Sequence, residues 1–336
     1  MKSLLQTVLL LLFLTITFSR CNVAREETVW QRGQHYFAFT GYEPLAHLPI
    51  NVHYFIPSQG DIDTMRVVMS MHGALRNGAF NVSQWTNLAE RGGFIVIAPE
   101  FPRDEWSVNM YQFGNVFTDS TFTDVNPQEK WAYNVVEAVF DYFLKTTGNR
   151  SQTYFINGHS AGGQFVHRMI LAMPNNRIEF AVAANPSSWT HAYVDGVIDS
   201  EGNVFGWPFS IKDSPFTDEE NIKRYLAFPM VIHLGTNDTS TTAHDLDRSI
   251  GAQATGSNRY CRGIAFFNSM EQLARDMNTP FNWQRVDVEG IAHSGRGMIY
   301  GKIKGEDDEG NPIFCIDYIT TTGAYYLIFR NPHRIR

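Results

Sequence analysis

Cysteine is almost missing from this sequence: three stand in 336 residues, at positions 21, 261 and 315. Paired CxxC motifs, HExxH and an acidic calcium loop are all absent, so nothing calls for a metal, and no cofactor is expected. No glycine loop of the phosphate-binding P-loop type occurs either. Charge is sparse as well, with 18% charged residues, a formal net charge of -7 and no long basic run. That leaves no electrostatic footprint for nucleic acid or for an anionic membrane surface. Beyond the N-terminal leader, no stretch reaches the roughly 18 consecutive apolar residues needed to cross a bilayer. What the chain does have is 43% apolar residues, enough to bury a large core and to exclude disorder as its general state. Length favours one domain, residues 22–336, built around a single sheet with insertions. Oligomeric state cannot be read from these features.

The first 21 residues read as an export signal: Lys2 precedes an apolar run over 4–18, and the polar stretch Ser19-Arg20-Cys21-Asn22 follows. The expected address is therefore periplasmic or extracellular. Phe18-Ser19-Arg20-Cys21 resembles a relaxed lipoprotein cleavage box, although Arg20 departs from it. On that reading Cys21 is the acylated residue, giving a membrane tether, as in an outer-membrane lipoprotein. Cys261 and Cys315 then remain, either as a disulfide permitted by an oxidising compartment or as two separate buried thiols.

From about residue 36 to 329, short β-branched or aromatic runs alternate with longer amphipathic stretches, the pattern of strands joined by helical crossovers. A mostly parallel sheet with helices on both faces is expected. Strands are predicted over 52–56, 66–71, 94–98, 153–157, 180–184, 230–234 and 281–288. Several are apolar throughout, as strands covered on both faces must be. One helix is predicted to start at Asn126-Pro127, with Asn126 as cap and Glu129 completing a capping box, and to end at Gly148. Its apolar stripe is Trp131, Val135, Ala138, Val139 and Tyr142. Another is predicted from about 264 to 277. Residues 103–125 and 187–224 are too irregular for either state; the second is expected to be a lid insertion.

The strongest chemical signal is Gly158-His159-Ser160-Ala161-Gly162-Gly163, directly after the strand at 153–157 and before a helical stretch at 164–173. Such a strand-to-helix turn presents its serine in a strained conformation, and small neighbours are needed where a side chain would strike strand or helix. The helix start also points free amides at the place where negative charge develops in acyl transfer. A serine hydroxyl is a weak nucleophile at neutral pH and needs a base, which in turn needs an orienting carboxylate.

Two later segments supply these in order. Gly235-Thr236-Asn237-Asp238 follows the strand at 230–234, and Gly290-Ile291-Ala292-His293-Ser294-Gly295 follows the strand at 281–288. Both place a side chain beyond the carboxyl end of a sheet strand, where α/β proteins build sites. Asp238 is preferred as the acid over Asp245 and Asp247, which lie deeper in the following loop, and over Asp287, which falls within a strand. Among histidines, His233 belongs to a strand core, while His191 and His244 sit in loops and stay open as substrate contacts; His293 is the base. An oxyanion hole needs two backbone donors, assigned to the amides of Ala161 and of Ala74 in His72-Gly73-Ala74, with His72 holding that turn.

In this order and spacing, the four motifs around His72-Gly73, Ser160, Asp238 and His293 resemble the α/β-hydrolase superfamily, in particular exported bacterial esterases related to polyhydroxybutyrate depolymerases and feruloyl or acetyl xylan esterases. The resemblance spans nearly the whole chain after its leader. It implies a three-layer α/β-hydrolase fold and a Ser160–His293–Asp238 triad that hydrolyses carboxylic esters through an acyl-enzyme. The expected substrate is an acylated polysaccharide or another extracellular ester, small or polymer-derived. The same constellation cleaves amides in serine peptidases, and a non-catalytic binding protein that kept the fold is a third possibility. In related esterases an aromatic residue after the strand that follows the elbow helix contacts the acyl group. Trp189 stands in that place, where lid packing is its other reading.

Overall fold

In the computed structural model, which describes residues 30–302 and 320–330, eight of the ten described strands form one sheet, flanked by ten α-helices. The sheet strands are β1 (Gly33–Phe39), β2 (Ile50–Ile56), β3 (Val67–Met71), β4 (Ile95–Glu100), β5 (Tyr154–His159), β6 (Ile178–Ala184), β9 (Met230–Gly235) and β10 (Trp283–Val288), while β7 (Val197–Ile198) and β8 (Val204–Phe205) form a separate hairpin. Their order is β1-β2-β4-β3-β5-β6-β9-β10. Pairing is antiparallel for β1–β2 and β2–β4 and parallel from β4 to β10.

Every predicted strand is present, within two residues at each end. β1 escaped the sequence reading because it is an edge strand whose residues are mostly exposed, from Gln34 to Tyr36 without interruption; no apolar alternation marks such a strand. The central strands show why both faces had to be apolar. Successive side chains point to opposite sides of a sheet: Val67, Met69 and Met71 of β3 join one buried cluster and Val68 the other, and Ile95 and Ile97 of β4 oppose Val96 and Ala98.

The helices are α1 (Gly78–Ser83), α2 (Thr86–Gly92), α3 (Val108–Tyr111), α4 (Tyr133–Thr147), α5 (Ala161–Ala172), α6 (Glu219–Leu226), α7 (Ile250–Gln253), α8 (Arg259–Asp276), α9 (Gly295–Tyr300) and α10 (Ala324–Phe329). One face of the sheet is covered by side chains from α4, α5, α6 and α8 and the other by α2 and α10. α5 is buried along all twelve of its residues. The expected start of α4 needs correction. Residues Gln128–Lys130 form a separate 3-10 turn, Trp131 is extended, and the helix begins at Tyr133 without a side-chain cap. Burial of Trp131, whose indole donates to the Asn126 carbonyl at 3.1 Å, breaks the helical path. The Asn126 amide donates instead to the Asn115 carbonyl. Gly148 ends the helix as expected, in a left-handed conformation at φ 73. α8 begins earlier than expected because Asn258 caps it, accepting from the Cys261 amide at 2.9 Å.

The 187–224 segment is tied down at its start. Residues 187–192 are buried, Trp207 and Ile211 enter the main core, and α6 starts within it at Glu219. Fully buried Arg168 of α5 holds this segment through Thr190 Oγ1, Ser188 Oγ and the Pro208 carbonyl, and reaches the Gln112 carbonyl as well. Its guanidinium lies over the Phe113 ring at 4.9 Å. The strongly exposed apolar groups here are Val194 and the tips of the small hairpin, Ile198 and Val204.

Burial keeps several histidines of this scaffold neutral, among them His72, His191 and His233. Burial pushes His72 down to about 3, with the Arg76 charge adding to the shift, and pushes His191 and His233 down to about 4. Below the ordinary histidine value the unfolded chain takes up a proton at each position that the folded chain refuses. Their stabilisation is therefore complete above about pH 6.5 and is lost as pH falls toward 4. Each histidine contributes a slope of about 1.4 kcal/mol per pH unit in that window. A fall in thermal midpoint from pH 7 to pH 5 is expected in thermal scans. Equal midpoints at the two values would contradict the assignment.

Candidate active site

The turn from β5 into α5 is as tight as the sequence requires. Ser160 sits at φ 58 and ψ -119, a conformation costing about 1–3 kcal/mol for a residue with a Cβ. Its amide is tied to the Ala184 carbonyl at 2.8 Å. Glycine is obligatory on either side. A Cβ on Gly158 would lie 2.2 Å from the Gly162 carbonyl oxygen, and one on Gly162 would lie 2.1 Å from the Met71 carbonyl oxygen. Both obstacles are backbone and cannot swing away. The contact at Gly162 also draws the end of β3 against the elbow, so that the turn at Gly73 lies beside Ser160.

Backbone bonds zip together the loops that follow β9 and β10. Thr236 donates to the Val288 carbonyl, Asn237 to the Ile291 carbonyl at 2.9 Å, and Gly290 donates to Thr236 Oγ1. This register brings Asp238 Oδ2 to 2.6 Å from His293 Nδ1. Asp238 is buried, and its carbonyl accepts from the Tyr260 amide at the start of α8. The imidazole of His293 lies 4.5 Å from that of His159, ring centre to ring centre. Burial, then the neighbouring His293 and Arg259, keeps His159 well below the ordinary histidine value, so it stays neutral beside His293.

Two cavities of about 460 and 630 Å³ meet at Ser160, sharing Ala74, Val108, Gln112, His244 and Asp245. His293 lines the larger one, so serine and imidazole face one opening. Ala161 and Ala74 both border the smaller one. Ala161 is the first residue of α5, where helix amides lack intrahelical partners. His72 is spent on structure. Its Nε2 accepts from the Phe101 amide at 3.0 Å, so the proton is on Nδ1 and faces the Gly73 carbonyl, also at 3.0 Å. Its ring stacks on Tyr111.

One sequence-predicted contact is not formed. Trp189 is fully buried, stacked on Phe266 of α8 at 4.6 Å and against His167 at 5.0 Å, and it borders neither cavity. The chain after β6 turns inward across α5, which carries the indole under the site. The aromatic wall is made by Phe113, Phe122 and Phe209 from the two irregular segments. Of the two loop histidines left open, His244 borders both cavities, whereas His191 is buried and paired with Ser269. His233 lies in β9 and bonds the Thr322 carbonyl, and Asp287 lies in β10.

Arg259 was not found from sequence, and Asp245 was weighed there only as an alternative acid. Arg259, 1% exposed, lies 3.5 Å from Asp238 Oδ1 and 2.8 Å from Asp245 Oδ1, and the other oxygen of Asp245 lies 3.5 Å from His293 Nε2. Neither has a local motif. Cys261 is exposed on α8; Cys21 and Cys315 lie outside the described residues.

A parallel sheet flanked by helices, a strained serine between strand and helix, and an Asp–His pair at the ends of two later strands define an α/β-hydrolase. No family model matches the sequence, and no curated protein does. Among solved structures, poly(aspartic acid) hydrolase-1 from Sphingomonas sp. KT-1 is 34% identical, with a TM-score of 0.72 over 80% of this chain and 96% of that one. A poly(3-hydroxybutyrate) depolymerase from Bordetella parapertussis is 27% identical, with a TM-score of 0.71 over 80% and 86%. The chain belongs to the α/β-hydrolase superfamily.

Proposed function

We propose that the chain hydrolyses carboxylic esters through an acyl-enzyme on Ser160, with His293 as general base and acid and Asp238 as its orienting carboxylate. The observation that carries this reading is the 2.6 Å contact between Asp238 and His293 Nδ1 in a site whose opening is shared by Ser160 and His293. Ser160 Oγ bonds to the acyl carbon while its proton passes to Nε2; the carbon–oxygen bond to the leaving group breaks, and Nε2 returns the proton to that oxygen. Water then repeats the sequence and frees the acid. The amides of Ala74 and Ala161 hold the oxyanion. We read the N-terminal 21 residues as an export leader that puts this activity outside the cytoplasm, with acylated Cys21 as its tether, and an acylated polysaccharide or a polyester as the substrate. The same exported setting would permit a Cys261–Cys315 disulfide.

A second reading is amide hydrolysis, favoured by the likeness to poly(aspartic acid) hydrolase-1. Against it stand Asp245 and Asp247 in the wall of the cleft, which repel a polyanion, in a chain of net charge -7. Purified protein offered acetylated xylan, poly(3-hydroxybutyrate) and poly(aspartic acid), with fluorophosphonate labelling of Ser160 as a count of competent sites, separates the readings. Turnover of the poly(aspartic acid) alone would reverse the preference, and failure to label Ser160 would remove the acyl-enzyme.

A further inference from the structure

The two nitrogens of His293 face different carboxylates, Asp238 at 2.6 Å from Nδ1 and Asp245 at 3.5 Å from Nε2. On the acyl-enzyme reading, Nε2 hands its proton to the departing oxygen. A group beside Nε2 therefore stands beside the leaving group. Asp245 is partly exposed and borders both cavities at Ser160. Its Oδ1 is engaged by Arg259 at 2.8 Å, which leaves Oδ2 on the side of the imidazole. Burial raises its carboxyl, but the bond and charge of Arg259, with His293, outweigh that and hold it below the ordinary aspartate value, so it is anionic at neutral pH. Of the cations bordering the larger cavity, Arg76 donates to the carbonyls of Phe101 and Ser107, and Arg103 donates one N–H to that of Ala74.

We propose that Asp245 reads the leaving group, accepting a hydrogen bond from a hydroxyl on the carbon adjacent to the one that bears the scissile oxygen. It thereby selects esters of polyols over esters whose leaving group is a hydroxy acid. Hydrogen bonds to a charged acceptor discriminate by roughly tenfold or more, and an anionic leaving group meets like charge at the same place.

This inference rests on the acyl-enzyme reading, and the test separates the two. Three substrates share the acetyl group and a branched leaving carbon: the 2-acetate of propane-1,2-diol, isopropyl acetate and 2-acetoxypropanoate, which carry a neighbouring hydroxyl, no polar group and a carboxylate. For the full chain, kcat/KM is expected to fall in that order, with at least about a tenfold span. In Asp245→Asn and Asp245→Ser the ratio of the first to the third should collapse by about tenfold, whatever the absolute rates. A ratio near one or reversed in the unmodified chain overturns the inference. So does a ratio unchanged in both variants while all three rates fall together, which would assign Asp245 to holding His293 and Arg259. Ser160→Ala on isopropyl acetate tests the underlying reading: retained turnover would overturn the acyl-enzyme, whatever the ratio among substrates.

Discussion

Ser160→Ala is expected to lower kcat/KM on an ester substrate by about 10⁴- to 10⁶-fold, leaving only what oxyanion donors and binding supply. The thermal midpoint should stay within about 2 °C, because alanine keeps the Cβ and with it the backbone strain at φ 58. Ser160→Gly is the informative companion. Glycine adopts that conformation without steric strain but loses more backbone freedom on folding, so this variant should be equally inactive yet more stable by about 1 kcal/mol in denaturant titration. Activity surviving in either variant would mean that the bond is broken by some other group.

Asp238→Asn is expected to reduce kcat by about 10⁴-fold with little change in KM. Arg259 decides why. Its guanidinium faces Asp238 Oδ1 and draws the amide oxygen of an asparagine to that side, which turns the NH₂ toward His293 Nδ1. That nitrogen must then accept, the ring proton moves to Nε2, and the imidazole can no longer take a proton from Ser160. Initial-rate measurements with Asp238→Asn and Asp245→Asn side by side check the assignment. A loss below tenfold in the first, with the larger loss in the second, would exchange the roles of the two carboxylates. Replacing Asp238 also leaves buried Arg259 with Asp245 as its remaining carboxylate, so a stability loss of about 1–3 kcal/mol should accompany the kinetic one.

Much of this site is legible before any coordinates, because its members sit where strands end. A strand that is buried on both faces announces itself by composition, and the residues just past its carboxyl end then become candidates by position alone. Ser160, Asp238 and His293 were each found in that way. Arg259 was not, since it reaches the site through the packing of α8 against the loop after β9, about twenty residues beyond the Asp238 motif, and Asp245, in that same loop, was weighed only as an alternative acid. Trp189 failed in the opposite direction. Its place after β6 suggested a contact with the acyl group, but an aromatic ring next to a deep apolar core gains more by burial than by lining a cleft.

The amino-acid order by itself determined the sheet, the elbow and the chain order of serine, acid and histidine, because periodicity and small-residue spacing are local properties that backbone sterics enforce. Which carboxylate meets which nitrogen of His293, and which aromatic rings wall the cleft, only the tertiary structure decided. Those outcomes depend on the register between the β9 and β10 loops and on how 187–224 folds over α5, contacts between residues far apart in sequence that no local pattern encodes.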